Sequence, residues 1–223
     1  LKAVIVFSGG LDSVCTAAYM KKYELYGITF SYGQKANNEV KIAQKFSKLL
    51  EFKEHKVVDI SFMKELYGNT NALTDSKITI PSEFDYSIVA PIRNAIFLSI
   101  ASAWAFAKEA EIVAYGAHTG DMRYPDCRPP FAKLLTKALN QGEIDGINLN
   151  LRKRIRIWSP FMDNLSKSDL LRRGYKELGQ HIFKSWSCYG GNKIHCGTCE
   201  SCNNRKLAFY KSKIADKTKY LKI

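Results

Sequence analysis

Apolar residues recur along this chain with two different periods. Short β-branched and aromatic runs over 3–7, 25–31, 57–60, 112–116 and 153–158 are predicted strands. Between them, 11–22, 37–50, 94–109, 129–141 and 166–178 repeat their apolar positions at helical spacing; in 37–50, Val40, Ala43, Phe46 and Leu50 share one face. Pro129 and Pro130 suit a first helical turn, and Ser166 is a natural cap for the helix that follows it. Only 61–90 breaks the rhythm, as a short helix plus an irregular insert holding Gly68, Asn69, Asn71 and Pro81. This alternation of strand and helix predicts an α/β fold with a parallel sheet covered on both faces. In such sheets ligands bind beyond the carboxyl ends of the strands, which gathers 8–13, 32–34, 116–128 and the loop after Trp158 at one edge.

Ser8-Gly9-Gly10-Leu11-Asp12-Ser13 lies where the first strand gives way to the first helix. Two glycines let the backbone curl so that several N–H groups face one concavity, and the helix start adds unpaired N–H groups and partial positive charge. Ser8 and Ser13 bring hydroxyl donors, while Asp12 has the chemistry to hold a Mg²⁺ shared with phosphates. No Gly-x-x-x-x-Gly-Lys-Ser/Thr pattern is present, so no P-loop lysine reaches a γ-phosphate. The turn is predicted to capture pyrophosphate.

At 223 residues, 46% hydrophobic and 25% charged, the chain supports one generous domain or a domain with a small appendage. The apolar stretch 95–107 is shorter than a bilayer span and contains serines, so it is predicted as a buried helix and no membrane partner is expected. The sequence enters its first strand almost at once, leaving no room for an export signal, and a cytoplasmic location is the expectation. A net charge of +13 fits a lysine-rich chain in general as well as attraction of anionic ligands such as ATP. The lysines are dispersed rather than gathered in a block, and the run from Arg152 to Arg156 alternates like a half-exposed strand. Direct nucleic-acid binding is therefore not expected.

Composition changes only near Lys184, where a cysteine-rich segment begins, so 1–183 and 184–223 are the expected divisions. Cys188, Cys196, Cys199 and Cys202 follow the pattern C-x7-C-x2-C-x2-C. The short gaps let neighbouring thiolates converge on one ion, and the first cysteine closes a tetrahedral site. One Zn²⁺ per chain is the leading assignment; an iron–sulfur cluster is its rival, without the usual Cys-Pro ending. His195 is either a substitute ligand or a solvated loop histidine. Four thiolates fill the coordination shell, which makes the metal structural, and disulfides are not expected.

The glycine turn resembles that of the PP-loop ATP pyrophosphatases, in which Ser-Gly-Gly-x-Asp-Ser binds ATP for cleavage between the α and β phosphates. That resemblance implies a Rossmann-like (adenine nucleotide alpha hydrolase-like) sheet with the small zinc-binding knuckle at its C-terminal end. Four further signatures accompany the turn: Ser31-Tyr32-Gly33-Gln34, Ala90-Pro91-Ile92-Arg93-Asn94, Tyr124-Pro125-Asp126-Cys127-Arg128-Pro129, and His195-Cys196-Gly197-Thr198-Cys199-Glu200-Ser201-Cys202 followed by Arg205. Together, over 8–205, they are similar to the 7-cyano-7-deazaguanine (preQ0) synthases. The resemblance implies an ATP-dependent carbon–nitrogen ligase that turns 7-carboxy-7-deazaguanine and ammonia into the nitrile through adenylated carboxylate and amide. Its product would feed queuosine or archaeosine in tRNA. It further implies that Phe7, Ser8, Gly9, Gly10, Leu11, Asp12, Ser13, Gly33 and Gln34 bind ATP with Mg²⁺, and that two chains pair as a homodimer.

The chemistry of that reaction fits the residues. A carboxylate resists ammonia because it is anionic and its oxygens leave poorly, and transfer of AMP supplies a leaving group; repeating the transfer on the amide oxygen gives the nitrile. Such an enzyme needs phosphate binding and positioning more than covalent chemistry. Asp12, Arg93 and Lys167 are the catalytic candidates at the phosphates. Asp126 is the candidate for the paired N–H groups of a guanine-like edge, with Asp121 as its alternative, and Arg128 for the substrate carboxylate. Trp186 and Tyr189 either stack on the base or pack in the core. Cys127 would be a nucleophile only if Arg128 lowered its pKa, and Cys15 is expected in the core. Two other classes compete: a PP-loop thiolase or lysidine synthase acting on tRNA, and a non-catalytic zinc-knuckle module. Thiolation asks for sulfur-carrying cysteines outside the metal site, where only Cys15 and Cys127 remain, and the intact Ser8, Asp12 and Ser13 set argues against a non-catalytic module.

Overall fold

The computed structural model describes residues 1–36 and 38–222. Five parallel strands, β1 (Lys2–Val6), β2 (Glu24–Ser31), β3 (Glu54–Asp59), β4 (Ile112–Ala114) and β5 (Arg156–Trp158), form a sheet in the order β3-β2-β1-β4-β5. The helices are α1 (Leu11–Tyr19), α2 (Asn38–Leu49), α3 (Met63–Tyr67), α4 (Arg93–Lys108), α5 (Pro129–Gly142), α6 (Ile144–Asn148), α7 (Lys167–Leu178) and α8 (Glu200–Ser212). Ala3 and Ile5 of β1 face a core shared with α1, α2, α7 and α8, while Val4 faces a second core built with α4 and α5. Burial on both sides is why the inner strands read as continuous apolar runs. Strand order reverses direction between β1 and β4, and the crevice outside a parallel sheet opens at such a switch point.

The expected α/β architecture is present, with differences at its margins. The helix predicted over 37–50 is Asn38–Leu49, and Asn37 lies outside the described residues. β3 begins at Glu54 rather than 57 because it is an edge strand. Its polar first half pairs with Tyr26, Gly27 and Ile28 on one side and meets water on the other. β5 is shorter than 153–158 because Asn140 of α5 takes over a strand's work: its Oδ1 accepts the Ile155 N–H at 3.0 Å and its Nδ2 donates to the Ile155 carbonyl at 2.9 Å. Ser166 caps α7 as expected, in a reciprocal box with Asp169.

α8 carried no amphipathic signal, and Arg205 explains why. This residue sits on the inner face of the helix with no exposure at all. Its guanidinium donates to the Ser185 carbonyl and hydroxyl, Ser187 Oγ and Thr218 Oγ1, at 3.0–3.2 Å. A charged residue in a buried position breaks the apolar stripe that sequence reading relies on. Residues Tyr86–Lys108 form an apolar stretch of 23 residues, longer than 95–107, with an 18-residue window of mean hydropathy 1.4, long enough by composition to cross a bilayer. The continuous helix within it, α4, has 16 residues and rises about 24 Å, short of a hydrocarbon core of about 30 Å. Leu98, Ala101 and Ala105 of α4 pack on the sheet, as in the central helix of a globular core.

Candidate active site

The turn after β1 is held from three directions. Gly9 has φ +76°, and a Cβ there would stand 2.6 Å from the Ala43 nitrogen and 2.9 Å from the Glu39 oxygen of α2. Only glycine fits both the left-handed backbone and that approach. Ser8 Oγ lies 3.2 Å from Ser13 Oγ and accepts the Gly10 N–H at 3.1 Å. From the far end of the chain, Trp186 donates its N–H to the Gly9 carbonyl at 3.0 Å and accepts the Leu11 N–H at 3.1 Å. Two of the N–H groups expected to face an anion, those of Gly10 and Leu11, are thus engaged within the protein. Phe7 is fully buried beneath the loop against Phe52 and lines no cavity. Gly33 forms the turn after β2 at φ +81°, and Gln34 spans that turn, accepting the Tyr32 N–H and donating to the Phe30 carbonyl.

Asp12, in the first turn of α1, anchors a charged chain. Its Oδ2 accepts from Lys167 Nζ at 2.9 Å, and its Oδ1 lies 3.4 Å from His118 Nε2. Oδ1 is buried and has no well-formed hydrogen bond. Burial alone would raise the Asp12 pKa, yet Lys167 and His118 outweigh it and hold the carboxyl below its ordinary range. His118 Nδ1 accepts the Gly120 N–H at 3.1 Å, so the neutral ring turns its Nε2–H toward Asp12. Its backbone N–H donates to Asp121 Oδ2 at 2.9 Å. Burial works against a charge on His118, but Asp121 and Asp12 win and raise its pKa.

Two cavities meet at this chain. The smaller, about 260 Å³, is lined by Ser8, Asp12, Ser13, Arg93, Asp126 and Trp186 among others; the wider, about 690 Å³, by His118, Ser166, Lys167 and Glu200. Asp12, Asp121, Tyr124, Tyr189 and Ser201 line both. The smaller one falls below the roughly 300–1,000 Å³ usual for a small-molecule site, and the wider one falls within it. Arg93 is fixed by donating to Tyr32 Oη at 3.0 Å, directly after Ile92, whose left-handed φ of +48° is a strained conformation for a β-branched residue. Asp126 Oδ2 accepts the Asn94 N–H at the start of α4, at 3.3 Å.

Some expected residues go elsewhere. Arg128 lines neither cavity; its Nε donates to the Met122 carbonyl at 2.8 Å. Arg128 therefore does not activate Cys127, whose thiol is instead pushed up by burial and by the carboxylates of Asp121 and Asp126. His195 is neither a solvated histidine nor part of the cysteine cluster: it is 5% exposed, accepts the Ser187 N–H at Nε2, and packs against the Trp186 ring at 4.5 Å. His118, Glu39 and Asn94 were not anticipated. The signal available for His118 was its place just after β4, with Asp121 three residues on, as in a capping box.

The Sγ atoms of Cys188, Cys196, Cys199 and Cys202 lie within 4.8 Å of one another, so this cluster could hold a metal ion. Those of Cys196 and Cys202 are 3.8 Å apart, which matches the edge of a tetrahedron built on metal–sulfur bonds of about 2.3 Å. Backbone N–H groups of Gly190 and Cys196 point at the Cys188 sulfur, and those of Thr198 and Cys199 at the Cys196 sulfur, at 3.3–3.4 Å. Donors so placed favour thiolates.

A doubly wound parallel sheet with a glycine turn and a cation–carboxylate chain at its switch point defines a nucleotide-binding α/β protein. The chain belongs to the family described as Queuosine biosynthesis protein QueC, which it matches over residues 2–213. It is 38% identical to the 7-cyano-7-deazaguanine synthase of Caldicellulosiruptor bescii, over 99% of this chain and 97% of that protein. It is 37% identical to the enzymes of the same name from a Sulfurihydrogenibium species (92% of each chain) and from Aquifex aeolicus (92% and 94%).

Proposed function

We propose that this chain is an ATP-dependent ligase that converts 7-carboxy-7-deazaguanine and ammonia to 7-cyano-7-deazaguanine, in queuosine biosynthesis. The observation that carries the reading is the Ser8–Ser13 turn at the sheet's switch point, in a chain that matches its synthase relatives nearly end to end. The relatives bear the synthase's name, and no observation favours a thiolase or lysidine synthase acting on tRNA.

In this reading Ser8 and Ser13 donate to the phosphates, and Lys167 and Arg93 offset the charge that develops as pyrophosphate leaves. The unpartnered Asp12 Oδ1 fits a hard divalent cation such as Mg²⁺, which when bound would neutralise the leaving phosphates. Asp126, beside Asn94 and Cys127 in the smaller cavity, is assigned the N–H edge of the deazapurine. Residues 1–183 carry the nucleotide chemistry, and 184–223 hold one structural Zn²⁺ on four thiolates, which the sulfur spacing supports; Ile223 lies outside the described residues. A site of four thiolates suits a reducing, cytoplasmic place of work.

Incubation with ATP, ammonium and 7-carboxy-7-deazaguanine is expected to give the nitrile by mass spectrometry, with AMP and pyrophosphate as co-products. Release of ADP and orthophosphate, or absence of nitrile, refutes the reading.

A further inference from the structure

In the reaction just assigned, one nitrogen atom gives up its protons in stages. Ammonia loses one as it displaces AMP to form the amide. The amide nitrogen loses a second as its oxygen is adenylated, and the last as AMP departs and the triple bond closes. We propose that Asp121 is the catalytic base for this nitrogen in both halves of the reaction, acting from the wall between the two cavities. The inference rests on the nitrile-forming reading above.

Placement separates Asp121 from the raised carboxylates Glu39, which lines only the smaller cavity, and Glu200, which lines only the wider one. It lines both cavities and so lies between the Ser8–Ser13 turn and the wider cavity. Asp12 is paired with Lys167 at Oδ2 and assigned to the divalent cation at Oδ1, and Asp126 lines only the smaller cavity, holding the start of α4. The Asp121 carboxylate is anchored at one oxygen, Oδ2, by the His118 N–H at 2.9 Å and lies 3.3 Å from His118 Nδ1. Oδ1 accepts no hydrogen bond among the described residues and is free to take a proton. Anchoring at one end fixes the other, as a general base requires.

The charged and titratable groups around it are His118, Asp12 and Lys167, together with Tyr115, Tyr124, Cys127, Tyr189 and Glu200. Burial raises the Asp121 pKa and Asp12 adds to it, while His118 and Lys167 oppose; the net shift is upward. That direction makes it a stronger proton acceptor than a surface carboxylate. In the first half the C–N bond forms, the C–O bond to AMP breaks with its electron pair leaving on the phosphate oxygen, and one N–H proton passes to Oδ1. In the second half the amide oxygen bonds to the α-phosphorus as the bond to pyrophosphate breaks, and one N–H proton passes to Oδ1. The C–O bond to AMP then breaks with its electron pair leaving on the phosphate oxygen, as the last N–H proton leaves and its electron pair closes the triple bond. Between steps Oδ1 returns its proton to water through the wider cavity.

Asp121→Asn tests this cleanly, because the amide oxygen still accepts the His118 N–H but takes no proton. Three rates separate the roles: pyrophosphate exchange into ATP with 7-carboxy-7-deazaguanine alone, amide formation with ammonium, and nitrile formation from supplied 7-carboxamido-7-deazaguanine. Exchange is expected within about threefold of wild type, with both nitrogen steps down by about 10²-fold or more. Loss of exchange, unchanged nitrogen steps, or loss of only one of them overturns the proposal. Asp121→Glu, which retains a carboxylate, is expected to recover both nitrogen steps in a common ratio, and it supplies the reading if the asparagine variant does not fold. Wild-type enzyme that makes no nitrile in the same assay refutes the underlying function instead, whatever the variants do.

Discussion

Gly9 is the point at which stability and chemistry are tied to one missing carbon. Gly9→Ala places a methyl at φ +76°, a left-handed backbone that costs an L-residue roughly 1–2 kcal/mol. The new Cβ would also stand 2.6 Å from the Ala43 nitrogen and 2.9 Å from the Glu39 oxygen. Both are helix backbone atoms that do not swing aside as a side-chain tip does, so overpacking adds about 1–3 kcal/mol. The sum, roughly 2–5 kcal/mol, is a large share of the 5–15 kcal/mol typical of a folded domain. Gly10→Ala is the matched control. Its φ of −69° suits any residue, and its Cβ would meet Ser8 Oγ at 3.0 Å and the Trp186 oxygen at 3.3 Å, so about 1 kcal/mol or less is expected. Urea unfolding followed by tryptophan fluorescence compares the two, with an unchanged m-value showing that the unfolding transition is the same. If the variants match within about 0.5 kcal/mol, the approach of α2 to the turn is not what demands glycine at position 9.

Lys167→Met and Asp12→Asn should each destabilise the fold and abolish AMP formation. In a double-mutant cycle their coupling should reach about 1–3 kcal/mol, below the fully buried range because the Asp12 side chain keeps 34% of its exposure; additive effects would sink the pairing. Glu39 is pushed up to about 7 by burial, against the pull of Arg93 and Gln34. Between the ordinary carboxylate pKa and that value the folded chain holds a proton the unfolded chain releases, so stability falls as pH rises through the window. Glu39→Gln should remove that slope, leaving stability at pH 4 unchanged and adding about 1–2 kcal/mol at pH 8 after allowance for partial exposure; parallel pH profiles of the urea midpoint would refute it. Cys202→Ser should take bound zinc from one per chain to none by elemental analysis. It should also raise the KM for ATP, although none of the four clustered cysteines lines either cavity; loss of zinc with an unchanged KM would separate metal from nucleotide binding.

Much of this site is written in local sequence, because its physics is local. A strand, two glycines and a helix start make the anion turn by spacing alone, and the cysteine gaps converge on one point for the same reason. Ser166 and Asp169 announce the helix that delivers Lys167. The remainder depends on contacts distant in sequence. His118 acquires its role only because β4 lies beside β1, which brings its ring against Asp12. Glu39 matters because α2 crosses the turn at Gly9. In the 116–128 loop, single-turn helices at Thr119–Asp121 and Pro125–Cys127 decide which side chains turn inward. They deliver Asp121 and Asp126 to the cavities and send Arg128 back to the Met122 carbonyl, although all three are equally polar in the sequence.

Trp186 links the cysteine cluster, which could hold a metal ion, to the turn after β1. Its backbone brackets Gly10 with two hydrogen bonds, its indole N–H donates to the Cys188 carbonyl at 2.7 Å, and its ring lies on His195. Cys188 is itself one of the four converging thiols, so the cluster begins two residues after the Trp186 backbone that brackets the glycine turn. Because Leu11 spends its N–H on Trp186, the phosphate binding proposed above would fall to the remaining N–H groups, the Ser8 and Ser13 hydroxyls and Lys167. The turn is thus half of a clamp whose other half arrives some 175 residues later in the sequence. On the proposed function, a chain in which the cysteine segment is loosened would keep Ser8, Asp12, Ser13 and Lys167 but lose the strap that holds the turn in one arrangement, and precise arrangement is what such a site contributes to the rate.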